Sequence, residues 1–467
     1  MSEETDVIQQ VRAEMSDVIS PSFCLAKWHH TSIYLHTGQT HSCYHPRPHV
    51  IPLENLRTRP SGLHNTPFKQ QERAEMLIGD RPSGCQYCWN VEDLGPSYIS
   101  DRMIRNHSIS SGRPQLVEEI LTQPWDFHVN PEYIELAFSS ECNFKCGYCH
   151  PMSSSKFFAE IVQHGPYTMV KHHTVSIDGL SVYTEDDNPY LQAWWAWWPD
   201  VSRTLNILRI TGGEPLLHKS TWRLFDELAA HPKPQLELNI NSNLGAPTKW
   251  VQQLVDRVCR ATDEQHIRHF QLFSSMDTWG ARAEYLRTGL DLTLWEHNMD
   301  TYIRGTHRPL SIMCTFNILS VTSFRQFLEK ILEWRATYDT LIPTWNPQQP
   351  YERKIRFDTP YLKEPLQYDM HLLPKEDFLP YFDEILDFIQ INMNEQDVTK
   401  FSQLEYERFR RVREYFATTT YDPRRIREGQ IDFYRWFTEY DRRRHVSFTA
   451  TFPEMHDFWT HCQQLAI

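Results

Sequence analysis

The sequence predicts an α/β chain with a parallel sheet, a small cysteine-rich β-hairpin module before it and a helical region after it. Three observations predict this. Between residues 131 and 365 short apolar strands alternate with amphipathic helical stretches, and that alternation means a parallel sheet. Upstream, four cysteines surround a strand–turn–strand pattern. After Pro360 the strand pattern stops and only helical stripes remain. A chain of 467 residues is long enough for about two to four domains. The boundaries expected are a tail over 1–20, the cysteine-rich module and linker over 21–130, the α/β core over 131–365 and a helical cap over 366–467.

Met1 to Ser20 is acidic and amphipathic, without the apolar centre of a signal peptide. Ser32 to His36 and Gln39 to Tyr44 form a hairpin about Thr37-Gly38, setting Cys24 and Cys43 opposite each other across the ribbon. Pro67 to Ile78 is helix-like, with Phe68, Met76 and Leu77 apolar, and Cys85 and Cys88 follow in a C-x2-C turn. The core strands are expected at Tyr133 to Phe138, Ile207 to Ile210, Leu236 to Ile240, Phe270 to Ser275, Leu310 to Ile318 and Lys354 to Asp358. Helices are expected at Ser155 to Gln163, Thr221 to Ala230, Thr248 to Cys259 and Thr322 to Trp334. A polar stretch from Glu185 to Pro189 leads into a helix carrying four tryptophans, stopped by Pro199. Those tryptophans are either packing residues or a wall of the substrate pocket. In the cap, one stripe is Phe378, Phe382, Ile385 and Ile389; others are Phe409, Val412 and Phe416, and Phe433, Phe437 and Tyr440. Its arginines, Arg408 to Arg444, interleave with acids. They read as a solvated, paired surface, or as a cap that binds a carboxylate or phosphate.

The formal charge of −13 argues against binding along a phosphate backbone. No apolar run reaches the length of a bilayer span, so no membrane contact and a cytoplasmic location are expected. Ten cysteines in such a compartment suggest metal ligands rather than disulfides. Cys259, Cys314 and Cys462 are scattered and read as small buried hydrophobes.

Cys142, Cys146 and Cys149 stand in eight residues, spaced C-x3-C-x2-C, directly after the first core strand. Three thiolates in one loop suit three corners of a four-iron cluster, leaving one iron open. A zinc knuckle completed by His150 is the plain alternative. The run, with aromatic Tyr148 before its last cysteine, resembles the signature of the radical S-adenosylmethionine (SAM) enzymes. Thr211-Gly-Gly-Glu-Pro-Leu216, after the second core strand, resembles that family's GGEP motif. The resemblance implies a partial (β/α)6 barrel with its ligand site at the carboxyl ends of the strands. It implies that the open iron chelates SAM, and that reductive cleavage gives a 5′-deoxyadenosyl radical that abstracts a substrate hydrogen. It carries SAM contacts to Tyr148, Gly212, Gly213 and Glu214. More weakly, it carries them to Asn243, to Ser275 in a Ser-x-Asp strand end with Asp277, and to Arg287. The glycines are expected to let backbone approach a ligand.

Cys24, then Gly38-x4-Cys43, then Cys85-x2-Cys88 resembles the SPASM and twitch modules that hold auxiliary clusters beside a radical SAM core. Here the pattern precedes the core rather than following it, and four cysteines suffice for one cluster. A four-cysteine zinc ribbon fits the same count. The resemblance implies one auxiliary 4Fe–4S cluster, a peptide or protein substrate, and a reductant such as a flavodoxin or ferredoxin. A small-molecule or nucleoside substrate is the alternative. A different class of reading is a non-catalytic zinc protein that binds a partner.

Overall fold

A single row of residues explains why the strands form one layer. Ile33, Leu136, Ile210, Ile240, Leu272, Leu310 and Ile355 are register partners on seven adjacent strands, and none is exposed. Burying each such side chain contributes about 1.5–3 kcal/mol. The fold is taken from a computed structural model that describes residues 10, 13, 15–95, 98–111, 113–170, 183, 187–338 and 353–466. Most of the tail expected before Ser20, and Glu185 and Asp186 of the polar stretch, lie outside the described residues.

The sheet has nine strands in the order β3-β2-β1-β4-β5-β6-β7-β8-β9. They are β1 His30–Tyr34, β2 Gln39–His41, β3 His49–Val50, β4 Tyr133–Ala137, β5 Ile207–Thr211, β6 Lys233–Ser242, β7 Ile267–Ser275, β8 Leu310–Met313 and β9 Ile355–Asp358. The two pairs within β1 to β3 are antiparallel, and every other neighbouring pair is parallel. The six expected core strands are β4 to β9, in sequence order. β8 is shorter than the alternation through Ile318 predicts. Past Met313 the ladder lapses, and Phe316 makes only a lone bridge to Tyr361.

The crossover helices Ser155–His164, Lys219–Ala230, Thr248–Asp263 and Phe324–Tyr338 fall within a few residues of their expected positions. The tryptophan helix corrects its expected end. It spans Pro189–Val201 and passes through Pro199. A proline so close to the last turn forfeits little, and buried Trp194, Trp197, Trp198 and Val201 hold that turn against the core. Three of the four tryptophans are thus packing residues; half-buried Trp195 stacks on Phe138.

The hairpin does not stand apart from the core. β1 pairs in parallel with β4, and Ile33 and Leu35 belong to the main apolar core. The helices around it have a second core of their own, with Phe23, Leu25, Trp28, Met76, Trp89 and Ile120, in which Cys24 and Cys85 are embedded.

A parallel sheet is usually apolar on both faces. Here the alternate row reads Ser32, Glu135, Arg209, Asn239 and Gln271 across five neighbouring strands. One face is therefore packed and the other polar, which suits a ligand rather than a helix layer.

In the cap, Arg410, Arg424 and Arg442 pair on the surface with Glu407, Glu428 and Glu439, as expected. Arg443 and Arg444 do not fit that expectation: both are buried. Cys314 and Cys462 are buried, but Cys259 is only half-buried, its sulfur turned toward the carbonyl of Gly305.

Candidate functional site

The cysteine loop leaves the carboxyl end of β4 and is fixed mainly through its backbone. Gly213 N–H donates to Ser139 O at 3.0 Å and Glu214 N–H to Glu141 O at 2.7 Å. Lys145 N–H bonds Thr288 O and Gly147 N–H bonds Leu286 O, each at 2.9 Å. The Ser154 hydroxyl donates to Phe144 O at 2.6 Å. From the cap, Arg444 donates to Lys145 O at 2.5 Å while Glu160 takes its other nitrogens at 3.1 and 3.2 Å. A loop tied at so many points holds its sulfurs in a set arrangement.

The GGEP glycines, expected to let backbone approach a ligand, are closely packed. Their close approach is to the cysteine loop itself. Gly212 has φ 111°, and a Cβ there would stand 2.5 Å from Ser139 O; at Gly213 it would stand 2.1 Å from Glu141 O. Neither carbonyl belongs to a flexible side chain. Gly213→Ala is therefore expected to displace the loop, with a stability loss of about 1–3 kcal/mol for the overpacking and a larger loss of bound metal. Thermal unfolding and metal analysis of one preparation would check both.

Glu214 is likewise committed to structure. It is 1% exposed, and accepts from Ser242 Oγ at 2.8 Å, Asn243 N at 2.6 Å and Leu216 N at 3.1 Å. It ties the carboxyl end of β6 to the turn after β5. Burial pushes its carboxyl up to about 7, against the pull of those donors. The folded value lies above the ordinary 4.5, so the stability this group lends is full below pH 4.5 and is lost as pH rises through 7. Thermal unfolding followed from pH 5 to about 8 should show that fall, and Glu214→Gln should flatten it.

Two sulfurs of the loop receive hydrogen bonds from side chains. Asn243 Nδ2 lies 3.8 Å from Cys142 Sγ and also donates to Asn143 Oδ1 at 2.9 Å. Arg287 Nη1 lies 3.9 Å from Cys146 Sγ. The rest of that guanidinium is held by Asp277, with Nε 2.9 Å from Oδ2 and Nη2 3.0 Å from Oδ1. Tyr148 closes the group: its hydroxyl donates to Asp277 Oδ2 at 2.8 Å and accepts from Arg287 Nη2. Burial acts to lower Arg287, but Asp277, Tyr148 and Cys146 outweigh it and raise it well above its ordinary value. Burial raises all three thiols, with Cys149 pushed up to about 12. Buried thiols of this kind ionise only against a strong cation such as a metal centre.

The structure thus brings Cys142, Cys146, Cys149, Tyr148, Gly212, Gly213, Glu214, Asn243 and Arg287 to one carboxyl rim. Ser275 ends β7 paired with Met313. The polar group that reaches the loop from this strand end is Asp277, two residues on, which the Ser-x-Asp pattern contained. Glu160 had no sequence signal, and Arg444 stood among the cap arginines read as a paired surface or an anion-binding cap. His150 serves a local turn, its Nδ1 accepting from Met152 N at 3.1 Å.

The upstream quartet converges too. Cys24, Cys43, Cys85 and Cys88 line one cavity, together with Lys27, His45, Asp101, Arg102 and Arg105. Cys85 and Cys88 sit at the start of the helix Gln86–Glu92 rather than in a simple turn. The backbone N–H of Arg102, in the first turn of the helix Asp101–Ser110, acts to lower the Cys88 thiol, and that of His45 acts likewise on Cys43. Helix starts of this kind favour thiolate. Burial raises all four thiols, Cys85 to about 11 and Cys88 to about 12. Among the described residues, no group of three or more His, Cys, Asp and Glu side chains is placed to hold a metal ion. No helix among them is long and apolar enough to cross a membrane.

No protein-family model matches the chain, and no curated protein does. Among solved structures, the chain is similar to one described as native anSMEcpe with bound AdoMet and a Kp18Cys peptide. The identity is 16% and the TM-score 0.33, over 55% of this chain and 60% of that one. The match spans less than two thirds of that protein's length, and a superposition so loose fixes no residue correspondence.

Proposed function

We propose that the protein is a radical SAM enzyme that abstracts a hydrogen from a peptide or protein substrate. One observation carries this reading. The three-cysteine loop and the Gly212–Glu214 turn are bonded backbone to backbone at the carboxyl rim of a parallel sheet whose second face is polar.

The residues present fit a 4Fe–4S cluster by their chemistry: three buried or half-buried thiols, two of them already receiving N–H donors. Cys142, Cys146 and Cys149 would hold it, leaving one iron for the amino and carboxylate groups of SAM. When bound, the cluster would supply the electron that cleaves SAM to the 5′-deoxyadenosyl radical. Arg287 places a fixed positive charge beside Cys146, Asp277 and Tyr148 orient it, and Asn243 offers a neutral N–H donor to Cys142. The glycine turn supplies backbone and excludes bulk from the loop.

The quartet of Cys24, Cys43, Cys85 and Cys88 is proposed to hold one fully ligated auxiliary 4Fe–4S cluster, suited to electron transfer. A reductant of the flavodoxin or ferredoxin type would serve the catalytic cluster. The peptide substrate is read from the resemblance of the quartet to SPASM and twitch modules; a small molecule or nucleoside is the other substrate class.

Metal analysis tests the proposal against a zinc-binding scaffold. Anaerobically prepared protein should carry about eight irons per chain, four for each cluster. Two zincs and no iron would refute it.

A further inference from the structure

The cavity of the upstream quartet has an unusual charge balance. Three of its surrounding cations have carboxylate partners: Lys27 with Glu72, Arg102 with Glu92 at 2.6 Å, and Arg105 with Asp101 at 3.4 Å. Lys27 also lines the same cavity as Cys85, and its charge acts to lower that thiol. Behind Lys27 lie two more cations, Lys69 and Arg73, neither of them exposed at all. Lys69 donates to the hydroxyls of Thr31 and Thr40, each at 2.7 Å. Arg73 donates to Lys27 O at 3.0 Å and Asn65 Oδ1 at 2.9 Å. Among the described residues neither makes an ion pair with a carboxylate. Five basic side chains therefore face three carboxylates, an excess of two; burial holds Lys69 well below its ordinary value and Arg73 down to about 9, and a negative group beside them would counter that.

Burying unmatched cations costs several kcal/mol each. A cage of four thiolates about an oxidised 4Fe–4S core is doubly negative, and would balance that excess. Glu72 is pressed against the Cys85 turn as well, since a Cβ at Gly84 would meet its Oε1 at 2.3 Å. The Lys27–Glu72 pair thus lies directly under one ligand and joins it to Lys69 and Arg73.

We propose that this cation set, entering the cysteine cavity through Lys27, is a built counter-charge that raises the reduction potential of an iron–sulfur cluster held by Cys24, Cys43, Cys85 and Cys88. The inference rests on the reading that these cysteines hold such a cluster. Reduction adds one negative charge to the cage, and fixed positive charges close by favour the reduced form; net charge and hydrogen bonds to sulfur are the levers that set such potentials. The set makes the cluster an electron acceptor rather than a strong reductant.

The test is an EPR-monitored redox titration of the full chain in a Cys146→Ala background, which leaves the auxiliary cluster alone. Lys27→Met removes the positive charge that shares the cavity with Cys85, and its midpoint should shift negative of the parent's. Because Lys27→Met strands Glu72, the Lys27→Met/Glu72→Gln pair serves as the variant with neither charge of that pair, and it should also shift negative, since Lys27 acts on Cys85 more strongly than Glu72 does. Lys27→Arg should stay near the parent. An unchanged or more positive midpoint in both Met variants, with iron retained, overturns the counter-charge while leaving the cluster in place. A parent protein with zinc or no metal at the quartet overturns the inference together with the reading beneath it.

Discussion

Cys146→Ala is expected to abolish SAM cleavage and to cut the iron content from about eight to about four per chain. The remaining iron should sit on Cys24, Cys43, Cys85 and Cys88. The fold should survive the change. Arg287, which touches Cys146, keeps its two-point hold on Asp277, and the loop keeps its backbone bonds to Ser139, Glu141, Leu286 and Thr288. A zinc site at the loop would answer differently, with zinc lost and no electron-transfer signal altered. Cys85→Ala should do the converse. It should leave SAM cleavage uncoupled but intact, remove the other four irons and stop product formation. The two variants together separate the roles of the two cysteine sets by metal analysis and EPR.

Asp277→Ala is expected to be the most destabilising single change at the site. Arg287 is 5% exposed and Asp277 1%. Removing one partner of a buried pair leaves the other charge uncompensated and costs about 3–5 kcal/mol. Thr315 N–H, which donates to Asp277 Oδ1 at 2.9 Å, loses its acceptor as well. Urea unfolding should show the loss as a lower midpoint at unchanged slope. The paired change Asp277→Leu/Arg287→Met should recover most of that stability, because no charge is then stranded in the interior. It should not recover activity, since the charge beside Cys146 is gone. If the paired variant retained full activity, the Arg287 contact would be structural only.

Much of this site was legible because its parts are local. The cysteine loop is one run of eight residues, and strands β4, β5, β6 and β7 announce themselves by alternation that a buried row such as Leu136, Ile210, Ile240 and Leu272 requires. The four upstream cysteines could be grouped because hairpin geometry and C-x2-C spacing each bring two sulfurs together. What stayed hidden depends on contacts between distant residues. Arg444 lies in the last third of the chain among charges that read as a solvated surface, yet it meets Lys145 O and Glu160. Asp277 stood in view two residues past Ser275, but nothing local says which of two strand-end polar groups points at the loop. Lys27, three residues after Cys24, looks like any surface lysine until the helix Pro67–Leu77 is packed over it and brings Glu72. The contact of the GGEP glycines with the loop stayed hidden because no sequence pattern shows that Ser139 and Glu141 lie against them.

The central claim is an iron–sulfur cluster at Cys142, Cys146 and Cys149 with one iron free to bind SAM. The most direct test is to reduce anaerobically reconstituted protein with dithionite in the presence of SAM and quantify 5′-deoxyadenosine. Wild-type protein should form it, with methionine in equal amount, and Cys146→Ala should form none. Iron-loaded wild-type protein that yields no 5′-deoxyadenosine would contradict the account.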